Sequence, residues 1–153
     1  MKRTQICRFG AIVSALAFAI APGLAHADKT WHWRYSGNSI NASGTLVTSD
    51  TQNADGFYQI LSIAGSRNGD AIVGLYPAGQ AIPGNAPYAI DNFIRIGSAG
   101  RITVKGFGYA LASGAHANPY FADSNSHPGY NEVFTQGKAF VEQPIEFTAA
   151  PAP

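Results

Sequence analysis

The sequence predicts an all-β protein, either an antiparallel sandwich or a small barrel of about eight short strands, after a cleaved N-terminal signal helix. Segments of strand length alternate apolar with polar residues, and turn-forming residues separate them at a spacing of roughly 8–12 residues. After residue 27, no segment shows the 3.6-residue apolar repeat of an amphipathic helix. Only 12% of the residues are charged, which disfavours charge-driven disorder and coiled coils.

Residues 1–27 have the pattern of a secretory signal peptide. A basic start precedes an apolar run at residues 11–21, which is shorter than the roughly 20 apolar residues of a membrane span. Small side chains favour cleavage between Ala27 and Asp28. We therefore expect the mature chain in the periplasm or outside the cell, with no membrane anchor. Because the single cysteine, Cys7, leaves with the signal, an apolar core must hold the mature domain.

The first two strands are predicted at residues 31–35 and 40–48. In the first, aromatic and polar side chains alternate, as they do on a half-buried strand. In the second, apolar or small residues share one face and Asn, Ser and Thr the other. Polar and glycine-containing segments at residues 36–38 and 49–56 predict the turns that follow these strands.

A β-hairpin is predicted around Asn68 and Gly69. The flanking segments, residues 57–66 and 71–76, are rich in β-forming side chains. Asn-Gly favours a type I′ turn because both residues tolerate the positive φ that this turn requires.

The middle of the chain is less regular. Residues 77–87 are rich in Pro and Gly and predict a long connection or an edge loop. Strands are predicted at residues 92–96 and 102–111. Within the second of these, Gly106 and Gly108 indicate a bulge, strong coiling or the close approach of another segment.

The last third of the chain predicts a short aromatic segment between two loops, then a hairpin around Gln136 and Gly137 and a closing strand. In order, these elements lie at residues 112–118, 120–121, 122–129, 130–135, 138–142 and 144–148. The pattern contains no linker or repeat, so it predicts one domain at residues 28–148. A short extended tail, residues 149–153, follows it.

Several short motifs between residues 42 and 97 carry a resemblance to a known family. They are Ala42-Ser-Gly-Thr45, Tyr58 with Ile60, Gly65-Ser-Arg-Asn-Gly69, Ile72-Val-Gly-Leu75 and Asp91-Asn92. In these the chain resembles the small exported all-β proteins of the PEP-CTERM-associated type from Gram-negative bacteria. The resemblance implies export and fold, and it brings no activity with it. The family's sorting tail is absent from these 153 residues. Either this is an unanchored member or the tail begins beyond residue 153.

Charge and motifs disfavour several classes of function. Seven basic and nine acidic residues follow residue 27, a net charge of −2 that gives no reason to expect nucleic acid as a partner. No Gly-x-Ser-x-Gly elbow or mature cysteine indicates nucleophilic hydrolysis, and no clustered ligands indicate a metal or another cofactor. Glu132, Glu142 and Glu146 lie on neighbouring predicted strands and leave a carboxylate-dependent hydrolase open.

The aromatic residues are the main candidates for ligand binding. Exposed rings stack on sugar faces, whereas buried rings fill a core. The candidate ligand-binding residues are Trp31, Trp33, Tyr109, Tyr120 and Tyr130.

The sequence thus predicts a secreted, non-enzymatic β protein whose partner is extracellular polysaccharide, matrix or other cell-surface material. One alternative is a small β-barrel carrier of an apolar or aromatic ligand. The second alternative is the carboxylate-dependent hydrolase.

Overall fold

The computed structural model describes residues 28–97, 101–124 and 126–153. This part of the chain is all-β and contains no helix, as the sequence predicts. The predicted signal peptide, residues 1–27, lies outside the described residues. The strands are β1 (Lys29–Gly37), β2 (Ile40–Gln52), β3 (Tyr58–Arg67), β4 (Asp70–Leu75), β5 (Phe93–Ile94), β6 (Tyr109–Leu111), β7 (His116–Ala122), β8 (Gly129–Gln136) and β9 (Ala139–Pro151).

Eight of these strands form a closed antiparallel barrel. Strands β1, β2, β3, β4, β6, β7, β8 and β9 pair in chain order, and β9 pairs back onto β1. Strand β5 is extra and pairs with the beginning of β3. Of the two predicted architectures, the barrel is therefore the one that forms. Eight strands enclose an interior just wide enough for side chains or for one small ligand.

The predicted Asn-Gly hairpin is confirmed between β3 and β4. Asn68 and Gly69 have φ values of 50° and 81°, in the left-handed region that a type I′ turn needs. The Asn68 side chain also accepts a hydrogen bond from the Asn41 N–H (2.8 Å) and donates one to the Ser39 carbonyl (2.9 Å). One turn residue thereby ties the β3–β4 turn to the β1–β2 turn.

Aromatic rings fill the barrel interior at the level of Trp33. Its ring centroid lies 5.7 Å from Tyr35, 6.0 Å from Phe107 and 6.1 Å from Tyr109. Trp33 is paired with Gly44 on β2, and Gly44 with Gly65 on β3. A Cβ at Gly44 would lie 1.9 Å from the Ala64 carbonyl oxygen, so β2 and β3 approach this closely only because glycine stands there.

The prediction of a long strand at residues 102–111 is wrong over most of its length. Only Tyr109–Leu111 forms a strand, β6, although Ile102 makes an isolated bridge to Ile94. Gly106 has a φ of 65°, which turns the backbone out of the extended conformation. The two glycines do mark a close approach, because Ile82 and Ile90 pack where a Cβ of Gly108 would be.

The predicted strand limits differ from the observed ones at other places too. The loop predicted at residues 112–118 is a turn followed by β7, and this strand absorbs the aromatic segment at residues 120–121. Strand β5 has two residues instead of the five predicted at 92–96. Strand β9 continues through most of the predicted extended tail and pairs Pro151 with Trp31. Within the described ranges, no helix is long and apolar enough to cross a membrane.

Candidate functional site

Parts of the connection from β4 to β6 lie against the outside of the barrel and form a groove there, whereas Phe107 of the same connection packs into the interior. This groove, called the outer groove below, has a volume of about 620 Å³. Its walls come from the connection, from β7 with the loop after it, and from β8 and β9. The lining residues used below are Tyr88, Val104, Lys105, Tyr120, Asp123, Phe140 and Glu142.

Hydrogen bonds to β7 fix one wall of the outer groove. The buried Asn118 amide donates to the carbonyls of Lys105 (3.1 Å) and Phe107 (3.0 Å). The Phe107 N–H donates to Pro119 (3.2 Å) and the Phe121 N–H to Thr103 (3.0 Å). Residues 103–107 therefore follow the edge of β7 without forming a regular strand.

Buried apolar and amide side chains hold the rest of the connection. Ile82 and Ile90 are each 1% exposed and lie against Gly108. The Asn92 side chain donates to the Tyr76 carbonyl (2.8 Å) and accepts from the Gly108 N–H (3.2 Å). These contacts join the two ends of the connection, so the segment that carries Tyr88 is attached to the barrel at both sides.

The outer groove combines exposed rings with hydrogen-bonding groups. The Tyr88 side chain is 71% exposed and that of Phe140 is 50% exposed. Within the groove, the Tyr120 hydroxyl donates a hydrogen bond to the Glu142 carboxylate. Partial burial, together with Glu142, raises the pKa of Tyr120 well above its usual range. Tyr120 therefore stays a neutral donor, and Glu142 keeps acceptor capacity for a ligand hydroxyl.

The structure places only one of the five predicted ligand-binding residues in the outer groove. That residue is Tyr120. Trp31, Trp33 and Tyr109 are buried in the barrel interior, with 0%, 2% and 0% exposure. Tyr130 packs between Phe121 and Phe147, with its ring centroid 5.1 and 5.3 Å from theirs. Its hydroxyl accepts a hydrogen bond from the Arg101 N–H.

Sequence analysis missed Tyr88 and Phe140 as candidates. Tyr88 stands directly after the Pro- and Gly-rich segment, where no periodicity indicates exposure. Phe140 belongs to a predicted strand whose alternation does not tell which face is outside. The Pro- and Gly-rich segment before Tyr88 is the one sequence feature that could have indicated this site. Loops on a rigid scaffold often carry functional residues, and an aromatic side chain beside such a loop is a candidate for ligand binding.

A charged cluster lies inside the barrel. Arg67 holds Glu132 through two parallel hydrogen bonds, Nη2 to Oε1 at 2.7 Å and Nε to Oε2 at 2.9 Å. Tyr35 also donates to Glu132, and its hydroxyl is hydrogen-bonded to that of Tyr109. The Arg67 guanidinium lies 4.1 Å from the Phe134 ring centroid. Below, these four linked residues, Arg67, Glu132, Tyr35 and Tyr109, are called the interior cluster.

Three members of the interior cluster, Tyr35, Tyr109 and Arg67, have raised pKa values. Burial raises the pKa of Tyr35 and of Tyr109, and the nearby Glu132 raises both further. Burial alone would lower the pKa of Arg67, but the hydrogen bonds and charge of Glu132 outweigh it and raise this pKa. The cluster is therefore an ion pair capped by two neutral phenols.

The three candidate carboxylates are not brought together. Glu132 is completely buried in the interior, whereas Glu142 and Glu146 are exposed on the outside of β9. A glycosidase needs its two carboxylates roughly 5–10 Å apart and accessible to substrate. Glu132 therefore does not form such a pair with either of the others. Among the residues that the structure describes, no three His, Cys, Asp or Glu side chains are grouped to hold a metal ion.

Comparisons with known proteins give one distant similarity. No family model matches the chain, and no solved structure matches it. A protein named aminomethyltransferase, from Flavobacterium psychrophilum, is 24% identical over 132 residues. The match covers 86% of this chain and 33% of that protein, so the chain spans about a third of the relative's length.

Proposed function

We propose that this protein is an exported, non-catalytic barrel that binds extracellular polysaccharide in the outer groove. The observation that carries the proposal is the pair of exposed rings, Tyr88 from the connection and Phe140 from β9, in one groove with the Tyr120–Glu142 hydrogen bond. The signal-peptide pattern of residues 1–27 and the resemblance to small exported all-β proteins support the compartment, which is the periplasm or the cell exterior.

The chemistry of the outer groove suits a sugar chain. Sugar rings have apolar C–H faces that pack on aromatic rings, and hydroxyls that need donors and acceptors around them. Tyr88 and Phe140 offer the rings, and the carboxylates of Glu142 and Asp123 offer acceptors. A volume of about 620 Å³ lies within the usual range for small-molecule sites, so a few sugar units of a longer chain fit.

The barrel interior offers less to a ligand. Three rings contact Trp33, and the interior cluster fills a further part of the barrel with groups that already hydrogen-bond to one another. The carrier alternative requires a ligand to replace such contacts. The outer groove is open without any rearrangement.

The test is isothermal titration calorimetry of the mature chain, residues 28–153, with a panel of neutral polysaccharides. We expect one class to bind, and Tyr88→Ala and Phe140→Ala each to weaken that binding at least about tenfold, or about 1.4 kcal/mol. Leu61→Ala and Val73→Ala are matched controls, because both side chains are exposed and apolar (51% and 66% exposed) on other strands. We expect these controls to bind as the wild type does.

Two outcomes would contradict the proposal. One is that no polysaccharide binds. The other is that binding occurs and is the same in the Tyr88 and Phe140 variants. In parallel, a panel of small apolar ligands addresses the carrier alternative, which gains support if an apolar ligand binds and neither groove variant changes its affinity.

A further inference from the structure

We propose that a second surface, on the outside of β1 and its two neighbouring strands, binds the carboxylate groups of an acidic polysaccharide. This surface, called the basic face, is formed by His32, Arg34, Ser43, Thr45, Arg101 and Thr148. It is separate from the outer groove and shares no lining residue with it. The inference rests on the proposed function in that its ligand is a polysaccharide.

Strand register arranges the basic face in two rows. Arg34 of β1 is paired with Ser43 of β2 and Thr148 of β9. His32, two residues earlier and thus about 6.6 Å away along the strand, is paired with Thr45 and Ala150. Each long basic side chain therefore stands between two short ones. This contrast in length leaves a shallow depression of about 710 Å³ beside the basic groups.

Two guanidinium groups are oriented by the protein. The Arg34 Nε donates to the Thr148 hydroxyl at 3.3 Å. The Arg101 Nη1 donates to the Ala149 carbonyl at 2.6 Å, and the Arg101 backbone N–H donates to Tyr130. A guanidinium has five N–H donors, so the single side-chain bond of Arg34 and that of Arg101 orient each group and still leave N–H groups for a ligand. Oriented guanidiniums bind carboxylates through two parallel hydrogen bonds.

The charge of the basic face has one sign. The residues lining the depression include two arginines and a histidine and no Asp or Glu. On β9 the next outward carboxylate is that of Glu146, two residues before Thr148. It is paired with Ser36 and therefore lies outside the rows of Arg34 and His32. The described part of the chain otherwise carries more acidic than basic residues, so this concentration of cations is local.

The surrounding groups favour a sugar acid over other polyanions. Hydroxyls of Ser43, Thr45 and Thr148 suit the hydroxyls of sugar units between successive carboxylates. Apart from the His32 imidazole, no aromatic ring is exposed in the depression for nucleobases to stack on, since Trp33 is 2% exposed. With a net charge of −2, residues 28–153 also lack the overall attraction that nucleic-acid binding uses.

The experiment compares polygalacturonate with its fully methyl-esterified form, which has the same sugars without the charges. We expect Arg34→Ala to weaken polygalacturonate binding at least tenfold and to leave binding of the ester unchanged. Arg34→Lys should recover only part of the loss, because lysine keeps the charge without the planar fork. Lys138→Ala is the matched control, since it removes one exposed positive charge from the β8–β9 turn.

The inference is overturned if Arg34→Ala binds polygalacturonate as the wild type does, or if Lys138→Ala weakens binding equally. It is also overturned if inorganic polyphosphate binds in an Arg34-dependent manner and polygalacturonate does not bind. Failure of the inference alone is recognisable, because neutral polysaccharide would then still bind through Tyr88 and Phe140. If no polysaccharide of either kind binds, the proposed function fails as well.

Discussion

Glu132 is the residue whose environment departs furthest from that of an ordinary strand residue. Its side chain is completely buried, and its carboxylate accepts hydrogen bonds from Arg67 and Tyr35. Moving two charges out of water costs several kcal/mol per ion, and only complete pairing offsets this cost. The pair is thus weakly stabilising as a whole, yet the loss of either partner alone is costly because a bare charge stays buried.

We expect Glu132→Gln to lower the free energy of unfolding by about 3–5 kcal/mol, because Arg67 would lose its compensating charge. Chemical denaturation measures this change. The control is Glu146→Gln, an exposed carboxylate of β9, for which we expect a change within about 0.5 kcal/mol. The double variant Arg67→Met with Glu132→Leu should lose less unfolding free energy than the sum of the losses in the single variants Arg67→Met and Glu132→Leu. Additive losses would show that the two side chains do not act as a pair.

Among the elements, the connection from β4 to β6 decides where the outer groove lies. Gly106 fixes its path, because a φ of 65° turns the chain and the missing Cβ lets the backbone lie against Pro119. A Cβ at this position would be 1.9 Å from the Pro119 carbonyl oxygen. A side chain of any size at Gly106 therefore pushes the segment away from β7.

We expect Gly106→Ala to destabilise the protein by more than about 2 kcal/mol, since it adds a backbone clash to the roughly 1–2 kcal/mol of left-handed strain. Gly79→Ala separates the two effects: its φ is 82°, but nothing lies within 4 Å of the added Cβ. This control should lose only the strain component. Equal losses in thermal or urea unfolding would mean that the contact with Pro119 is unimportant.

At this scale the sequence predicts hairpins well and irregular segments badly. The Asn68-Gly69 turn is local chemistry, so two residues suffice to predict it. The β-forming residues at 102–111 predict a strand. Tertiary contacts of Gly106, Gly108 and Asn118 override this local preference for extended structure. Likewise, strand alternation separates two faces at Phe140 without telling which face is buried.

At the scale of the whole molecule, closure of the barrel assembles the interior cluster and the two candidate binding surfaces. The four residues of the interior cluster, Arg67, Glu132, Tyr35 and Tyr109, come from β3, β8, β1 and β6, which are far apart in sequence. Neither the cluster nor the outer groove was predictable, because each depends on which strands become neighbours and on how a loop folds over them. The aromatic content of β1 was visible in the sequence, and closure turned Trp31 and Trp33 into core residues.

Closure also makes the stability of the whole barrel sensitive to alkaline pH. Burial raises the pKa of Tyr35 and Tyr109 above the ordinary value of 10.0, so the folded protein retains phenolic protons that the unfolded chain releases. The native state then binds more protons, and the free energy of unfolding falls as pH rises above about 10, by up to about 1.4 kcal/mol per pH unit for each phenol. Below that pH, the two groups contribute no pH dependence.

Urea unfolding between about pH 9 and about pH 11.5 measures this dependence. We expect Tyr109→Phe, which keeps the ring and removes the titrating proton, to lose stability less steeply with pH than the wild type does. Tyr88→Phe is the control, because this exposed phenol lies outside the barrel, and its profile should match the wild type. The raised pKa of Tyr120 is common to all three proteins and cancels in the comparison. A Tyr109→Phe profile parallel to the wild type would show that the closed interior does not hold this proton.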